Sequence, residues 1–195
     1  MSFRKEKKYR LSLYEFNNLK KMLIEKGMNE LYPKRLINSI YYDNNDFDMF
    51  KDSEEGVLPR KKIRIRWYDG ITKFSFETKI SSIEGRFKKT VSLNSANKSQ
   101  ILLDKDYGII TPSLKVTYKR NYYILDKMRI TFDFDIKYYN LRFNSPNVYE
   151  DDEFVMEIKT SEYVSDDYIE SIIPIPTSRF SKYSRGLIRS RYVNL

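Results

Sequence analysis

"KKIRIRWYDG", residues 61–70, decides the reading of this chain. Every second residue is a cation, Lys62, Arg64 and Arg66, and between them stand Ile63, Ile65 and Trp67. A period of two is the mark of a β-strand with unlike faces, here one charged and one apolar. Asp69-Gly70 is a hairpin signal, and "TKFSFETKI" (72–80) returns as the next strand. The alternation recurs along the chain. Arg4/Glu6/Lys8, Lys73/Ser75/Glu77/Lys79, Arg86/Lys88, Arg129/Thr131/Asp133/Asp135 and Glu153/Glu157/Lys159 hold alternate positions. Between them lie Phe74 and Phe76, Ile130, Phe132 and Phe134, and Phe154, Met156 and Ile158.

Outward from that hairpin, residues 3–11 read as a first strand. Ser12 and Glu15 form a capping box, Leu13, Phe16, Leu19 and Leu23 recur at helical spacing, and Gly27 can end that helix. "LINSIYYD" (36–43) is rich in Ile and Tyr and reads as strand, and 44–59 is polar and reads as loop. Gly85 breaks the chain before a strand over 86–93. Residues 95–107 can form a second helix. Further strands are expected over 113–125, 128–141 and 153–160. Ser165 caps a short helix over 166–173, stopped by Pro174 and Pro176, and a final helix covers 178–192. The sum is one α+β domain over 1–195, with about eight strands and flanking helices, and eight antiparallel strands can close into a barrel that leaves no exposed edge.

The chain has 195 residues and a formal net charge of +9, which favours an anionic partner: nucleic acid, a membrane surface or a phosphorylated molecule. It has neither Cys nor His, which excludes a thiolate nucleophile, a phosphohistidine, a histidine base and the usual zinc sites. No apolar run approaches the roughly 20 residues of a membrane span, and the start lacks a secretory signal, so a cytoplasmic protein is expected. The abundance of Lys, Asn, Ile and Tyr suits an AT-rich microbial genome, and a bacterial source is expected.

An ordinary strand turns its polar face to water, and that reading accounts for a single charged strand. Recurrence in nearly every strand favours another arrangement, in which helices cover the apolar outside and the charged faces converge on a tunnel. Desolvating each ion there costs on the order of several kcal/mol, so a polyanion, metal ions or water must fill it.

The motifs that carry a family resemblance run in order along nearly the whole chain: "RKEKKY" (4–9), "NSIYYDN" (38–44), "KIRIRWY" (62–68), "FETK" (76–79), "RFKK" (86–89), "VTYKR" (116–120), "MRITFD" (128–133), "MEIK" (156–159) and "RFSKYSRG" (179–186). The chain resembles the catalytic domain of the vacuolar transporter chaperone (VTC) polyphosphate polymerases, members of the triphosphate tunnel metalloenzymes, whose relatives include CYTH-type triphosphatases and class IV adenylate cyclases. The resemblance implies an eight-stranded antiparallel tunnel that binds triphosphate. It implies phosphate ligands at Lys8, Arg64, Arg66, Lys79, Arg129 and Lys182, joined by Lys62, Arg86, Lys88, Arg120 and Lys159 as substrate-binding residues. Glu157 of "MEIK" is the implied Mn²⁺ or Mg²⁺ ligand, and Glu6 matches the acidic position of the first strand. Asp133 and Asp135 either balance tunnel charge or help hold metal. This sequence departs from the family at "FETK", where Thr78 stands in place of a common cation, and the insertion before "VTYKR" is short. The phosphate-sensing domain and membrane spans of eukaryotic VTC subunits are not expected, and a membrane partner is left open.

The implied reaction is transfer of the γ-phosphate of ATP to a polyphosphate chain. A terminal phosphate is already anionic, so no histidine base is needed, and phosphoryl transfer asks for positioning and charge stabilisation. A triphosphatase would use water instead, oriented by a carboxylate such as Glu6 or Asp133. The rival from another class is a non-catalytic binder of polyphosphate or RNA, although a nucleic-acid reader shows its cations outward and would not need Glu157.

Overall fold

The computed structural model describes residues 4–70, 73–95, 99–142 and 147–191. Phe3, Thr72, Tyr192 and residues 96–98, near the start of the expected second helix, lie outside the described residues. The elements are β1 (Arg4–Leu11), α1 (Leu13–Glu25), β2 (Asn29–Asp43), α2 (Asp48–Glu55), β3 (Arg60–Tyr68), β4 (Phe74–Ser82), β5 (Gly85–Leu93), β6 (Leu102–Asp104), β7 (Gly108–Leu125), β8 (Met128–Asn140), β9 (Val148–Asp151), β10 (Phe154–Ser161), α3 (Asp166–Ile172) and α4 (Lys182–Arg191). The strands hydrogen-bond in the order β1-β10-β8-β7-β2-β3-β4-β5, with β6 added to β7 and β9 to β8. The main path therefore has the eight strands expected, and every pair whose register is described is antiparallel.

The chain contributes to two compact units. One uses residues up to Arg35, Tyr118–Ile136 and Asp151–Phe180. In it the register places Tyr9 opposite Met156 and Met156 opposite Phe132, with Leu11, Ile158 and Ile130 on the same apolar side. That side is covered by Leu19 and Leu23 of α1, four residues apart, and by Ile169 of α3. Phe16 stacks on Phe154 at 4.4 Å and meets the edge of Phe132 at 5.3 Å. Each fully buried aliphatic or aromatic side chain here contributes roughly 1.5–3 kcal/mol. The α1 start is as expected: the Ser12 hydroxyl accepts from the Glu15 N–H, and the Glu15 carboxylate accepts from the Ser12 N–H. Ser165 caps α3 in the same way by accepting from the Tyr168 N–H.

The other unit uses Leu36–Thr117, Lys137–Glu150 and the chain from Ser181. Ile63 and Ile65 of β3 pack with Ile40, Tyr42, Met49 and Ile110, flanked by Trp67, Phe74 and Phe76. The apolar side of the 61–68 strand is thus buried beneath α2 and the β6–β7 hairpin.

Three expectations need correction. Residues 44–59 are not all loop, because α2 forms within them. The Asp43 carboxylate accepts from the N–H groups of Asn44, Met49 and Phe50, which satisfies donors at the start of that helix. Asn44 and Asp48 exchange two further hydrogen bonds. The expected helix over 95–107 is replaced, where described, by β6 and a turn. The Asp104 carboxylate accepts from the N–H groups of Asp106 and Tyr107, and Gly108 takes φ 67°, a left-handed value that favours glycine. β2 and β7 start seven and five residues earlier than the periodicity indicates, since the early half of β2 is largely exposed and residues 108–112 of β7, Gly-Ile-Ile-Thr-Pro, show no apolar alternation; β9 is an added strand. In β2, Pro33 lies before Ile37, where the described pairing with β3 begins, a place where its missing N–H is tolerated. Among the described residues no helix is long and apolar enough to cross a membrane.

Gly186 of α4 sits against the buried side chains of Tyr138 and Leu114, and a Cβ there would lie 2.5 Å from Tyr138 Cδ1 and 2.6 Å from Leu114 Cδ2. Gly186→Ala is expected to destabilise the protein by about 1–3 kcal/mol through overpacking, read as a lower urea midpoint with an unchanged m-value.

Candidate active site

The register of β3, β4 and β5 assembles one cationic face. Lys62 lies opposite Lys79, which lies opposite Lys88; Arg64 lies opposite Glu77; Arg60 lies opposite Ser81, which lies opposite Arg86. Arg66 shares this side with Ser75 of β4 and Ser39 of β2. Like charges directly opposite one another repel, so this face is stable only with counter-charge or water. Glu77 supplies the one carboxylate on these paired positions. It is buried, and the Arg64 Nε donates to its Oε2 at 2.7 Å while the Arg64 Nη2 lies 2.6 Å from the same atom. The Lys88 Nζ donates to Glu77 Oε1 at 2.7 Å, and the Arg66 Nη1 lies 3.5 Å from that oxygen. Burial alone would raise the Glu77 carboxyl, but Arg64 and Lys88 outweigh it and hold the group below the usual glutamate range. Arg64 also donates through Nη1 to the Tyr41 hydroxyl at 2.9 Å. Tyr41 stacks on Tyr183 of α4, whose hydroxyl donates to Asp43 at 2.5 Å. The Lys62 Nζ donates to Ser181 Oγ at 2.9 Å, the residue before Lys182 at the start of α4. Lys79, Arg86 and Lys88 are exposed, whereas Arg64 is buried and Arg66 nearly so.

A second cluster lies on β1, β10, β8 and β7. Lys8 is opposite Glu157 and Glu6 is opposite Lys159; on β8, Thr131 is opposite Glu157 and Arg129 opposite Lys159. The Lys159 Nζ lies 2.8 Å from Glu157 and 3.7 Å from Glu6, and Glu6 lies 3.4 Å from the Lys8 Nζ. Lys8 donates to the Phe180 carbonyl at 3.1 Å. Glu157 is largely buried, not a surface ion pair: its burial favours the neutral acid, but Arg120, Lys159 and Lys8 prevail and keep it well below the ordinary range. Arg120 donates from Nε and Nη2 to the two oxygens of Asp133, at 2.5 and 2.7 Å, so much of its guanidinium is engaged internally. Asp133 thus balances charge. Asp135 is exposed and paired with Lys119 at 2.7 Å, which puts it on the surface. Arg129 is exposed at the end of the same row.

The sequence-derived candidates therefore fall into these two groups: Lys62, Arg64, Arg66, Lys79, Arg86 and Lys88 on one face with Lys182 beside Ser181, and Glu6, Lys8, Arg120, Arg129, Glu157 and Lys159 on the other. Glu77, Tyr41 and Ser181 were not singled out as site residues. All three lie in motifs of the resemblance, "FETK", "NSIYYDN" and "RFSKYSRG", but their partners Arg64 and Lys62 become legible only with strand register and the start of α4 in place.

Among the described residues no three acidic side chains gather into a metal cage. Glu157 and Glu6 share one face and both contact Lys159, so the donor set is a pair of hard carboxylate oxygens. That fits the Mg²⁺ mode, in which one or two carboxylates act together with substrate phosphates and water, and it does not fit an all-protein calcium site.

Solved structures share the fold. A candidate adenylate cyclase of Bacillus halodurans matches with a TM-score of 0.58 at 13% identity, over 92% of this chain and 94% of that one. A protein of Pyrococcus horikoshii matches with a TM-score of 0.54 at 18% identity, over 97% and 100%. A candidate adenylyl cyclase of Hippeastrum, with a dominant triphosphatase activity, matches with a TM-score of 0.57 at 15% identity, over 95% and 96%. The fold is that of the CYTH-like triphosphate tunnel proteins. The family model of the VTC domain matches residues 3–108 and 103–190, and the chain belongs to the VTC domain family. No curated protein matches it by sequence.

Because the folded-state Glu157 carboxyl titrates below its unfolded value, its ionisation stabilises the fold fully above the usual glutamate range. That contribution is lost as pH falls through and below that range. Urea unfolding between pH 7 and pH 3 is expected to show a stability drop that is shallower in Glu157→Gln.

Proposed function

We propose that this protein is a metal-dependent phosphotransferase that extends polyphosphate with the γ-phosphate of ATP. The observation that carries the reading is the cationic face of β3–β5, where Arg64, Arg66, Lys62, Lys79 and Lys88 share one side of adjacent strands with a single opposing acid, Glu77. Membership of the VTC domain family favours polyphosphate as acceptor. Arg66 presents a buried Nε without a hydrogen-bond partner, an arrangement that a phosphate oxygen or a water relieves. Guanidinium groups give flat paired contacts to phosphate oxygens, and lysines give compact point charges; both suit a flexible chain of phosphates.

In this reading a terminal oxygen of polyphosphate attacks the γ-phosphorus of ATP, the bond from that phosphorus to the β-phosphate oxygen breaks, and ADP leaves. The polyphosphate product is one unit longer. Arg64, Arg66 and Lys79 with Lys182 hold phosphate oxygens and disperse charge as it shifts toward the leaving group. Lys8, Arg129 and Lys159 offer further phosphate contacts, and Lys62, Arg86, Lys88 and Arg120 support binding. Glu157, ionised by its cationic neighbours, and Glu6 would hold Mg²⁺ or Mn²⁺, sharing it with the substrate and exchanging Lys159 for it. The ion's chemistry when bound is to neutralise phosphate oxygens and polarise the transferred group. No proton need leave the attacking oxygen, in keeping with a chain that has no His.

A second reading, hydrolysis of a triphosphate, is favoured by the triphosphatase activity of the Hippeastrum protein of the same fold. Incubation with ATP and Mn²⁺ separates the two: ADP with long phosphate chains supports the polymerase, free phosphate supports the triphosphatase, and neither leaves a polyanion binder. Glu157→Gln is expected to abolish turnover while circular dichroism remains native; retained activity removes its assignment as metal ligand. Arg66→Ala is expected to weaken nucleotide binding roughly tenfold or more by calorimetry, the order of a lost hydrogen bond to a charged group.

A further inference from the structure

Glu77 has no place in the reaction as written, yet it is the most highly connected acid on the cationic face. We infer that Glu77 is an internal counter-anion: it holds Arg64, Arg66 and Lys88 in their binding geometry and competes with phosphate for them, so that it sets how strongly the face takes an anion. The inference deepens the proposed function and rests on it.

Three observations carry it. First, Glu77 is the only acid among the paired positions of that face, between Arg64 on one side and Thr90 on the other. Second, both its oxygens are committed: Oε2 to Arg64, Oε1 to Lys88 and, more distantly, to Arg66. These cations come from β3 and β5, on opposite sides of β4, so one side chain ties the three strands' charges together. Third, the side chain is 4% exposed, so the acid is not a solvated surface group that water can replace. A carboxylate and a phosphate oxygen ask the same geometry of a guanidinium. Arg64 in particular gives Nε and Nη2 to Glu77 and Nη1 to Tyr41, so an incoming phosphate meets an arginine already oriented and partly neutralised. An acid in this position lowers affinity for any anion. It also keeps mutually repelling cations from splaying when no substrate is bound. Its effect on binding and its effect on turnover are therefore of opposite sign. A purely structural residue does not have that property, because its removal weakens both.

The test uses the full chain, with inorganic tripolyphosphate as the probe in Mg²⁺-free buffer at about 0.15 M ionic strength, where exposed charges beyond about 8 Å are screened. Glu77→Gln is expected to bind tripolyphosphate about tenfold more tightly by calorimetry, since it deletes one adjacent negative charge. With ATP and Mn²⁺ the same variant is expected to show a lower KM and a kcat reduced at least about tenfold, because the arginines lose their orientation. A folded Gln variant with equal or weaker tripolyphosphate affinity overturns the inference, as does one with unchanged kcat. Leaving the cations unpaired can prevent folding, so Glu77→Asp is measured in parallel. It keeps the charge and shortens the reach, and is expected to retain affinity within about twofold while kcat falls. Wild-type kcat in Glu77→Asp overturns the positioning role. Failure of the wild-type protein to bind tripolyphosphate at all overturns the phosphate assignment of the face itself, and with it this inference.

Discussion

A strand that alternates cations with aliphatic residues can satisfy only one of its faces by packing. In β3 the aliphatic face is settled: Ile63 and Ile65 are buried with Met49 of α2 and Ile110 of β7. The other face then has Lys62, Arg64 and Arg66 fixed in place by the pleat, and the adjacent strands add Lys79 and Lys88 at the same level. Apolar burial thus imposes a concentration of positive charge that the chain must answer with acids, water or ligand. Much of the rest follows from that constraint, including the placement of Glu77 and the commitment of Tyr41 to Arg64.

The β1–β10–β8 row solves the same problem differently. There acids and bases alternate across the strands, with Lys8 opposite Glu157 and Glu6 opposite Lys159. Arg120 and Asp133 form a two-pronged pair beside them. This row is close to self-neutralising, whereas the β3–β5 face keeps an excess of cations. The contrast supports the proposed division, with a divalent ion at Glu157 and Glu6 and the greater part of the phosphate charge on the arginines and lysines of β3–β5. An ion pair buried this deeply is weak support for stability but expensive to break on one side.

Much of this was legible in the sequence wherever the signal is local. The two-residue period of 61–68, the Ser12–Glu15 box and the Ser165 cap are each complete within a few residues, and each appears as expected. The paired β-strand faces also followed from periodicity alone. What was missed depends on distant partners or on competition. Asp43 starts α2 through backbone groups six and seven residues ahead, in a segment with few apolar residues to mark a helix. Asp104 folds its own turn where helical propensity pointed the other way. Charge balance was one of two readings of Asp133, and its pairing with Arg120 bears that one out, whereas Asp135 lies on the surface; the role of Glu77 is set by strand register and not by neighbours in sequence.

The two carboxylates at the centre of these clusters, Glu77 and Glu157, are both held ionised by the cations around them. Their partners are lysines and arginines, and the chain contains no imidazole or thiol. Across the range in which living cells vary their acidity, these two carboxylates therefore keep their charge. Under the proposed function, the last ionisation of the phosphate chain's own end is a nearer source of acid sensitivity in that range than either of these two acids.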